Sequence, residues 1–173
     1  STVLWKILKR TFIIFLLGFL MYWFPFFGLD KDHNIVASPI SNTRIMGVLQ
    51  RIALCYGIAA LMLYSFKERA SVIICICLLF LYWFIMMHYG DPTDPLSMEG
   101  NAGIRLDKWI LGENHMYHGE GIAFDPEGLL STLPAISNVV VGYVVGKWIQ
   151  KMGNSYEGLT KLLLAGVALI FFA

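Results

Sequence analysis

Apolar residues fall in five long runs along the chain, separated by short polar connections and one long one. The first run, Thr11 to Phe27, follows Lys6, Lys9 and Arg10 and closes near Pro25 to Gly28. A basic start before an apolar run resembles a signal peptide. This run is instead long and rich in Phe, Tyr and Trp, with no small-residue cleavage site, and reads as a first membrane helix. A polar loop, Asp30 to Thr43, separates it from a second run, Ile45 to Phe66. After Lys67-Glu68-Arg69 a third helix is predicted over Ala70 to Met87. His88 to Glu127 is polar, with a short interfacial helix predicted over Ile104 to Leu111. Asp125-Pro126-Glu127-Gly128 then opens a fourth helix, Leu129 to Trp148. Asp is a favoured N-cap, Pro a favoured first helical residue, and Glu suits the positive helix end. Gly153 to Gly158 is a turn, and a fifth run extends from Leu159 to Ala173.

A membrane span needs about 20 apolar residues. The pattern predicts an all-α integral membrane protein: a bundle of about five transmembrane helices forming a single domain over residues 1–173, with one long loop at 88–127. Composition agrees, with 57% apolar and only 14% charged residues. Lys6, Lys9, Arg10, Lys67, Arg69, Lys147, Lys151 and Lys161 fall on one side of five alternating spans; Lys31, Arg44, Arg105 and Lys108 fall on the other. The positive-inside rule makes the first side cytoplasmic, so the N-terminal end is cytoplasmic and the 88–127 loop extracytoplasmic. That loop holds eight of the twelve acidic residues. Cys55, Cys75 and Cys77 all lie in apolar runs, which suggests neither a disulfide framework nor a zinc site. The expected partner is the lipid bilayer, with no nucleic acid.

Charge changes the picture most at Arg44-Ile45-Met46-Gly47-Val48-Leu49-Gln50-Arg51. Ionisable groups inside a membrane helix are costly and mark cavities or sites. On a continuous helix Arg44, Arg51 and Cys55 share a face, with Gly47 beside it, and two stacked guanidiniums could grip a phosphate or carboxylate. The plainer alternative has Arg44 reaching interfacial water and Arg51 paired with an acid on another helix. In the fourth helix Ser131, Ala135, Asn138, Gly142 and Gly146 follow one face. Asn138 needs amide partners at mid-membrane, and Gly142 and Gly146 predict a packing seam that also suits self-association. Pro134 should bend the first turns. His115 and His118 lie three apart between Glu113 and Glu120; Gly112 and Gly119 favour a loop there, so no metal is expected, and His115 is kept as a candidate acid–base group. His33 and His88 sit alone at helix ends. Asp125 and Glu127 have a structural explanation as a helix start and are also site candidates.

Three collinear motifs resemble the heparan-α-glucosaminide N-acetyltransferase family. Arg44-Ile45-Met46-Gly47-Val48-Leu49-Gln50-Arg51-Ile52 resembles its R-I-P-G-V-L-Q-R segment, with Met46 in place of the common proline. The stretch Asp107 to Tyr117 resembles its I-D-R-x-L-L-G-D-x-H-L-Y, and Phe124 to Thr132 its Y/F-D-P-E-G-I/L-L-x-T. The resemblance covers about Leu4 to Trp148. It implies a polytopic acetyltransferase of a bacterial inner membrane, moving acetyl from cytosolic acetyl-CoA to an amino sugar or glycan on the far side. From their own placement, beside the resemblance, Arg44, Gln50, Arg51, Asp125, Glu127 and Asn138 are the candidates for binding substrate or co-substrate. The family's acetyl-transfer histidine lies near F-x-N and H-x-x-W-N-G segments that are not found here, so the chain is expected to be a fragment of a larger protein, with His115 as a motif histidine only. A transporter whose polar helix faces line a solute path is the alternative from another class.

Overall fold

The computed structural model describes residues 2–29, 34–153 and 155–172. Lys31 and His33 of the first polar loop lie outside them. The described chain is mostly helical: α1 (Thr2–Trp23), α2 (Val48–Ser65), α3 (Glu68–Tyr89), α4 (Ala102–Ile110), α5 (Thr132–Met152) and α6 (Tyr156–Phe172). A two-stranded antiparallel hairpin, β1 (Phe27–Leu29) with β2 (Ile35–Ala37), lies between α1 and α2. Three helices are long and apolar enough to cross a membrane: α2, α3 and α5. They mark an integral membrane protein. At 1.5 Å per residue the 18 residues of α2 reach about 27 Å, close to a bilayer's hydrocarbon thickness. Helix α1 has 22 residues but carries Lys6, Lys9 and Arg10, and α6 has 17.

Small residues allow α1 and α2 to pack closely. A Cβ on Gly18 would come within 2.7 Å of Gln50 Oε1, and one on Gly57 within 2.6 Å of Thr11 Oγ1. Gly47 is pressed against the Tyr22 ring. The contacts Thr11–Gly57, Gly18–Gln50 and Tyr22–Gly47 step oppositely along the two helices, which makes the pair antiparallel. On the other side of α2, Cys55, Ala59, Cys75, Ile136 and Val140 form a buried core shared by α2, α3 and α5. Two buried hydroxyls lock this core: Ser71 donates to the Met62 carbonyl (3.4 Å) and Ser137 to that of Cys75 (3.2 Å). Gly142 and Gly146 do not form the expected seam within the chain; a Cβ on either would meet nothing among the described residues.

Helix α4 closes one end of the bundle. Asn101 caps it by accepting from the Ile104 N–H (2.9 Å). A second buried cluster, Met86, Ala102 and Leu130, joins α4 to the end of α3 and the approach to α5. At the opposite end Lys147 of α5 pairs with Glu68 of α3 at 2.5 Å. Lys6, Lys9 and Arg10 belong to that end, because the start of α1 runs towards the end of α2. Basic residues thus gather at one end of the bundle, and Arg44 sits with the acidic segment at the other.

Candidate functional site

Helix α1 begins at Thr2 and ends at Trp23 rather than running from Thr11 to Phe27, and α6 begins at Tyr156 rather than Leu159; the shifts that build the site are those at the starts of α2 and α5. Helix α2 begins at Val48 rather than Ile45, with Gly47 as an extended N-cap residue. The Ile45 N–H is taken by the His115 carbonyl (3.1 Å), so residues 44–47 lie outside the helix, beside the 113–115 turn. Arg44 therefore lies off the helix and does not share a helical face with Arg51. Helix α5 begins at Thr132 rather than Leu129. Asp125 is not its cap, because its carboxylate is engaged by Arg44, and the Leu129 N–H goes instead to Asp107 Oδ1 of α4 (2.9 Å). Pro134 then falls in the first turn of α5, where a missing N–H costs nothing.

Arg44 is the hub. Its Nε donates to Asp125 Oδ1 at 2.7 Å, its Nη2 lies 2.6 Å from Glu127 Oε2, and its Nη1 donates to the Tyr22 hydroxyl at 3.3 Å. The guanidinium carbon sits 5.1 Å from the Tyr22 ring centre and 4.9 Å from that of Tyr117. Stacking and forked pairing of this kind suit Arg and not Lys. The Asp125 side chain is fully buried, and those of Arg44 and Glu127 are 16% and 22% exposed. Burial alone would lower the Arg44 pKa, but the charge and hydrogen bond of Asp125, with Tyr22 and Glu127, more than offset it and raise it. Burial raises Asp125 as well, beyond what Arg44 returns.

Arg51 lies one turn inside α2 and grips the same segment by its backbone. Nη1 donates to the Pro126 carbonyl (3.2 Å) and Nη2 to that of Ser131 (3.0 Å). One turn further on, Cys55 Sγ approaches the Thr132 carbonyl at 3.9 Å. Two arginines from the 44–51 motif thus hold the 125–132 turn from opposite ends. Gln50 is fully buried against Gly18, and neither of its amide atoms has a hydrogen-bond partner among the described residues.

His115 is half-buried, with Nδ1 2.7 Å from the Thr43 carbonyl. A carbonyl only accepts, so this contact puts the proton on Nδ1 and leaves Nε2 as a lone-pair acceptor. His118 is exposed, with Nδ1 3.0 Å from the Met116 carbonyl. Asn138 is apart from the other predicted residues: it is exposed on α5 and makes no hydrogen bond among the described residues, while its neighbour Ser137 is buried. No group of three His, Cys, Asp or Glu side chains among the described residues is arranged to hold a metal.

Asp107, Tyr22 and Tyr117 were not singled out by the sequence as site residues. Asp107 is 2% exposed, and Gly128 packs so tightly on its Oδ2 that a side chain at 128 would collide with it. Burial, with the neighbouring Asp125 charge adding, pushes its pKa up to about 6 despite the Leu129 hydrogen bond. A signal existed: Asp107 stands three residues after buried Ile104, on the apolar side of α4, with Arg105 and Lys108 turned away.

Fold and site together define a helical integral membrane protein whose charged, partly buried cluster lies at one end of its bundle. Two curated proteins are similar to the chain, both named heparan-α-glucosaminide N-acetyltransferase. The Mus musculus protein is 25% identical over 213 residues, covering 96% of this chain and 30% of its own length. The Homo sapiens protein is 26% identical over 192 residues, covering 84% of this chain and 28% of its own length. These matches support a distant family-level relationship. The chain spans about three tenths of the length of these relatives. No protein-family model matches it.

Proposed function

We propose that the chain is the part of a transmembrane acetyltransferase that forms the extracytoplasmic mouth of its transfer pocket. Acetyl-CoA is the donor, supplied from the cytosol, and an amino sugar or glycan on the far side is the acceptor. The observation that carries this reading is the likeness to the two N-acetyltransferases across most of the chain. Support comes from the clustering of Arg44, Arg51, Asp125 and Glu127 at one end of the bundle. The acceptor nitrogen forms a bond to the thioester carbonyl carbon, the C–S bond breaks, the thiolate leaves with CoA, and the amine proton passes to a base. His115 Nε2, with its lone pair exposed by the Nδ1 contact, is the base this chain offers. Arg44 and Arg51 fix the 125–132 turn, Glu127 and Asp125 face the amine and hydroxyls of the acceptor, and Gln50 supplies an unspent amide. Asn138, exposed on α5, offers its amide to substrate or co-substrate apart from the Arg44 cluster.

The reading adds α1 and α6 to the three spanning helices, five in all. It places the basic end in the cytoplasm of a bacterial cell, with the protein in the inner membrane. The test is Arg51→Ala in the full-length protein. Releasing one end of the 125–132 turn displaces reacting groups by an ångström or more, so acetyl transfer should fall about a hundredfold. Membrane insertion and the gel-filtration profile should be unchanged. Wild-type acetylation rates in the variant would refute the assignment.

A further inference from the structure

Beside the Arg44 cluster lies a cleft of about 390 Å³ between the end of α3, helix α4 and residues 124–131. Two buried acids, Asp107 and Asp125, line it. They are close neighbours: Asp107 Oδ2 rests on Gly128, whose N–H is donated to the Asp125 carbonyl at 3.1 Å. Each acid has spent one oxygen, Asp107 Oδ1 on the Leu129 N–H and Asp125 Oδ1 on Arg44. Each has one left. Asp125 Oδ2 is buried with no hydrogen-bond partner among the described residues, and Asp107 Oδ2 makes no hydrogen bond among them either. The charged and titratable groups packed around them are engaged elsewhere. On α4 Arg105 donates to the Tyr89 carbonyl and Lys108 pairs with Glu113. On α3 Tyr82 lines the cleft without a hydrogen bond to either acid, and His88 stacks on Phe84. In the loop before α4, Asp91 accepts from Thr93, while Asp94 and Glu99 are exposed. His115 and His118 turn their Nδ1 atoms to the Thr43 and Met116 carbonyls. Around the 125–132 turn itself, Arg44 and Arg51 stand against Asp107, Asp125 and Glu127, so the fully ionised set carries one negative charge in excess. Buried and unpaired, that charge is costly. One proton removes it and gives both spare oxygens a partner, since a neutral carboxyl donates where a carboxylate only accepts.

We propose that Asp107 is a positioning residue: it holds a proton on Oδ2, shares it with Asp125 Oδ2, and so clamps the 125–129 segment at both ends, Asp125 through the proton and Leu129 through its N–H. Without the proton two buried anions face each other, and the Asp125 end of the clamp is released. Burial and the Asp125 charge raise the Asp107 pKa to about 6, so the clamp closes in acid and opens towards neutral pH. It is a third hold on the turn that carries Asp125 and Glu127 and, unlike the two arginines, it titrates near neutrality. A carboxylate oxygen accepts more than one hydrogen bond, so Asp125 Oδ2 keeps a lone pair for other donors. The clamp stands on the geometry alone; its effect on rate rests on the proposed function.

The experiment is an infrared pH titration of the full-length protein in detergent micelles, read at the carbonyl stretch of protonated carboxyls, with acetyl-transfer rates measured over the same pH range. The wild type should lose one such band with a midpoint of about pH 6, and Asp107→Asn should lack it. Asp125→Asn removes the anion that shares the proton and should lower the midpoint by about one unit. Asp107→Asn reproduces the closed clamp at every pH, its amide donating to Asp125 and accepting from Leu129. The ratio of its kcat/KM to that of the wild type should therefore rise about tenfold between about pH 5 and about pH 7. Asp107→Ala makes neither bond and should be slower than the wild type throughout. A merely structural Asp107 would give a rate ratio flat with pH. No wild-type band titrating near pH 6, a midpoint unmoved by Asp125→Asn, or a flat ratio would each overturn the clamp. If the band titrates and shifts as stated but the protein transfers no acetyl group, the proposed function fails and the clamp stands. If acetyl is transferred with a flat ratio and an unmoved midpoint, the clamp fails and the function stands.

Discussion

At Arg44 a single guanidinium ties four parts of the chain together: the end of α1 through Tyr22, the α2 approach, the 113–117 turn through Tyr117, and the 125–127 segment. Arg44→Ala strands the fully buried Asp125 carboxylate, and losing one member of a buried pair costs about 3–5 kcal/mol. Reversible unfolding in mixed micelles should register that loss, Asp125→Asn in the same chain should restore part of it, and Arg44→Lys should not rescue it, lacking the fork and the planar stack. Asp107 gives a pH signature. With a folded pKa of about 6 against an ordinary 3.8, the folded state holds a proton that the unfolded state releases between these values. The contribution of this group therefore declines as pH rises from about 4 to about 6, by about 3 kcal/mol if fully expressed. Melting curves of the wild type should show this decline, and Asp107→Asn should flatten it. The charged residues of the site were legible in the sequence as charges placed where charge is expensive. Their pairing was not, because Arg44 and Asp125 are 81 residues apart and nothing local specifies the match. Tyr22 and Tyr117 were invisible for a different reason: in a chain with eight tyrosines and twelve phenylalanines, one more aromatic residue carries no signal.

Among the elements, long apolar runs located α2, α3 and α5 well, since helix length and hydropathy are local properties. The starts of α2 and α5 were misplaced by three residues each, because tertiary bonds outbid the local preferences. The His115 carbonyl claims the Ile45 N–H, and Arg44 claims the carboxylate that would have capped α5. Glycine spacing misled in a similar way. Gly142 and Gly146 have the spacing of a close-packing helix face, but spacing marks a capacity, and the approaches that form are at Gly18, Gly47 and Gly57 between α1 and α2. Gly18→Leu should thus overpack the α1–α2 contact and cost about 1–3 kcal/mol, while Gly142→Leu should stay within about 0.5 kcal/mol of wild type in the same unfolding assay. A reversed order of these two variants would place the tight helix crossing at α5 instead.

Over the whole molecule, the alternation of charge between the ends of successive helices was readable from the sequence, and in three dimensions the basic ends gather opposite the Arg44 cluster. Such segregation is what a bundle needs to hold one orientation in a bilayer. The two-stranded hairpin and the cleft under α4 were not readable, since both depend on segments far apart in sequence meeting at one end of the bundle. Orientation can be checked with a membrane-impermeant thiol reagent on a background lacking the three native cysteines: Lys67→Cys should react only from the cytoplasmic side and Glu99→Cys only from the other. The central claim is transfer of acetyl across the bilayer, and it has a direct assay. Full-length protein is reconstituted with its basic end inside sealed vesicles, radiolabelled acetyl-CoA is enclosed, and glucosamine is added outside. Labelled N-acetylglucosamine should accumulate outside while the vesicles retain CoA, and Arg51→Ala should abolish most of it. Absence of acetylated sugar from sealed wild-type vesicles, or its formation only when both substrates share one compartment, would contradict transmembrane transfer.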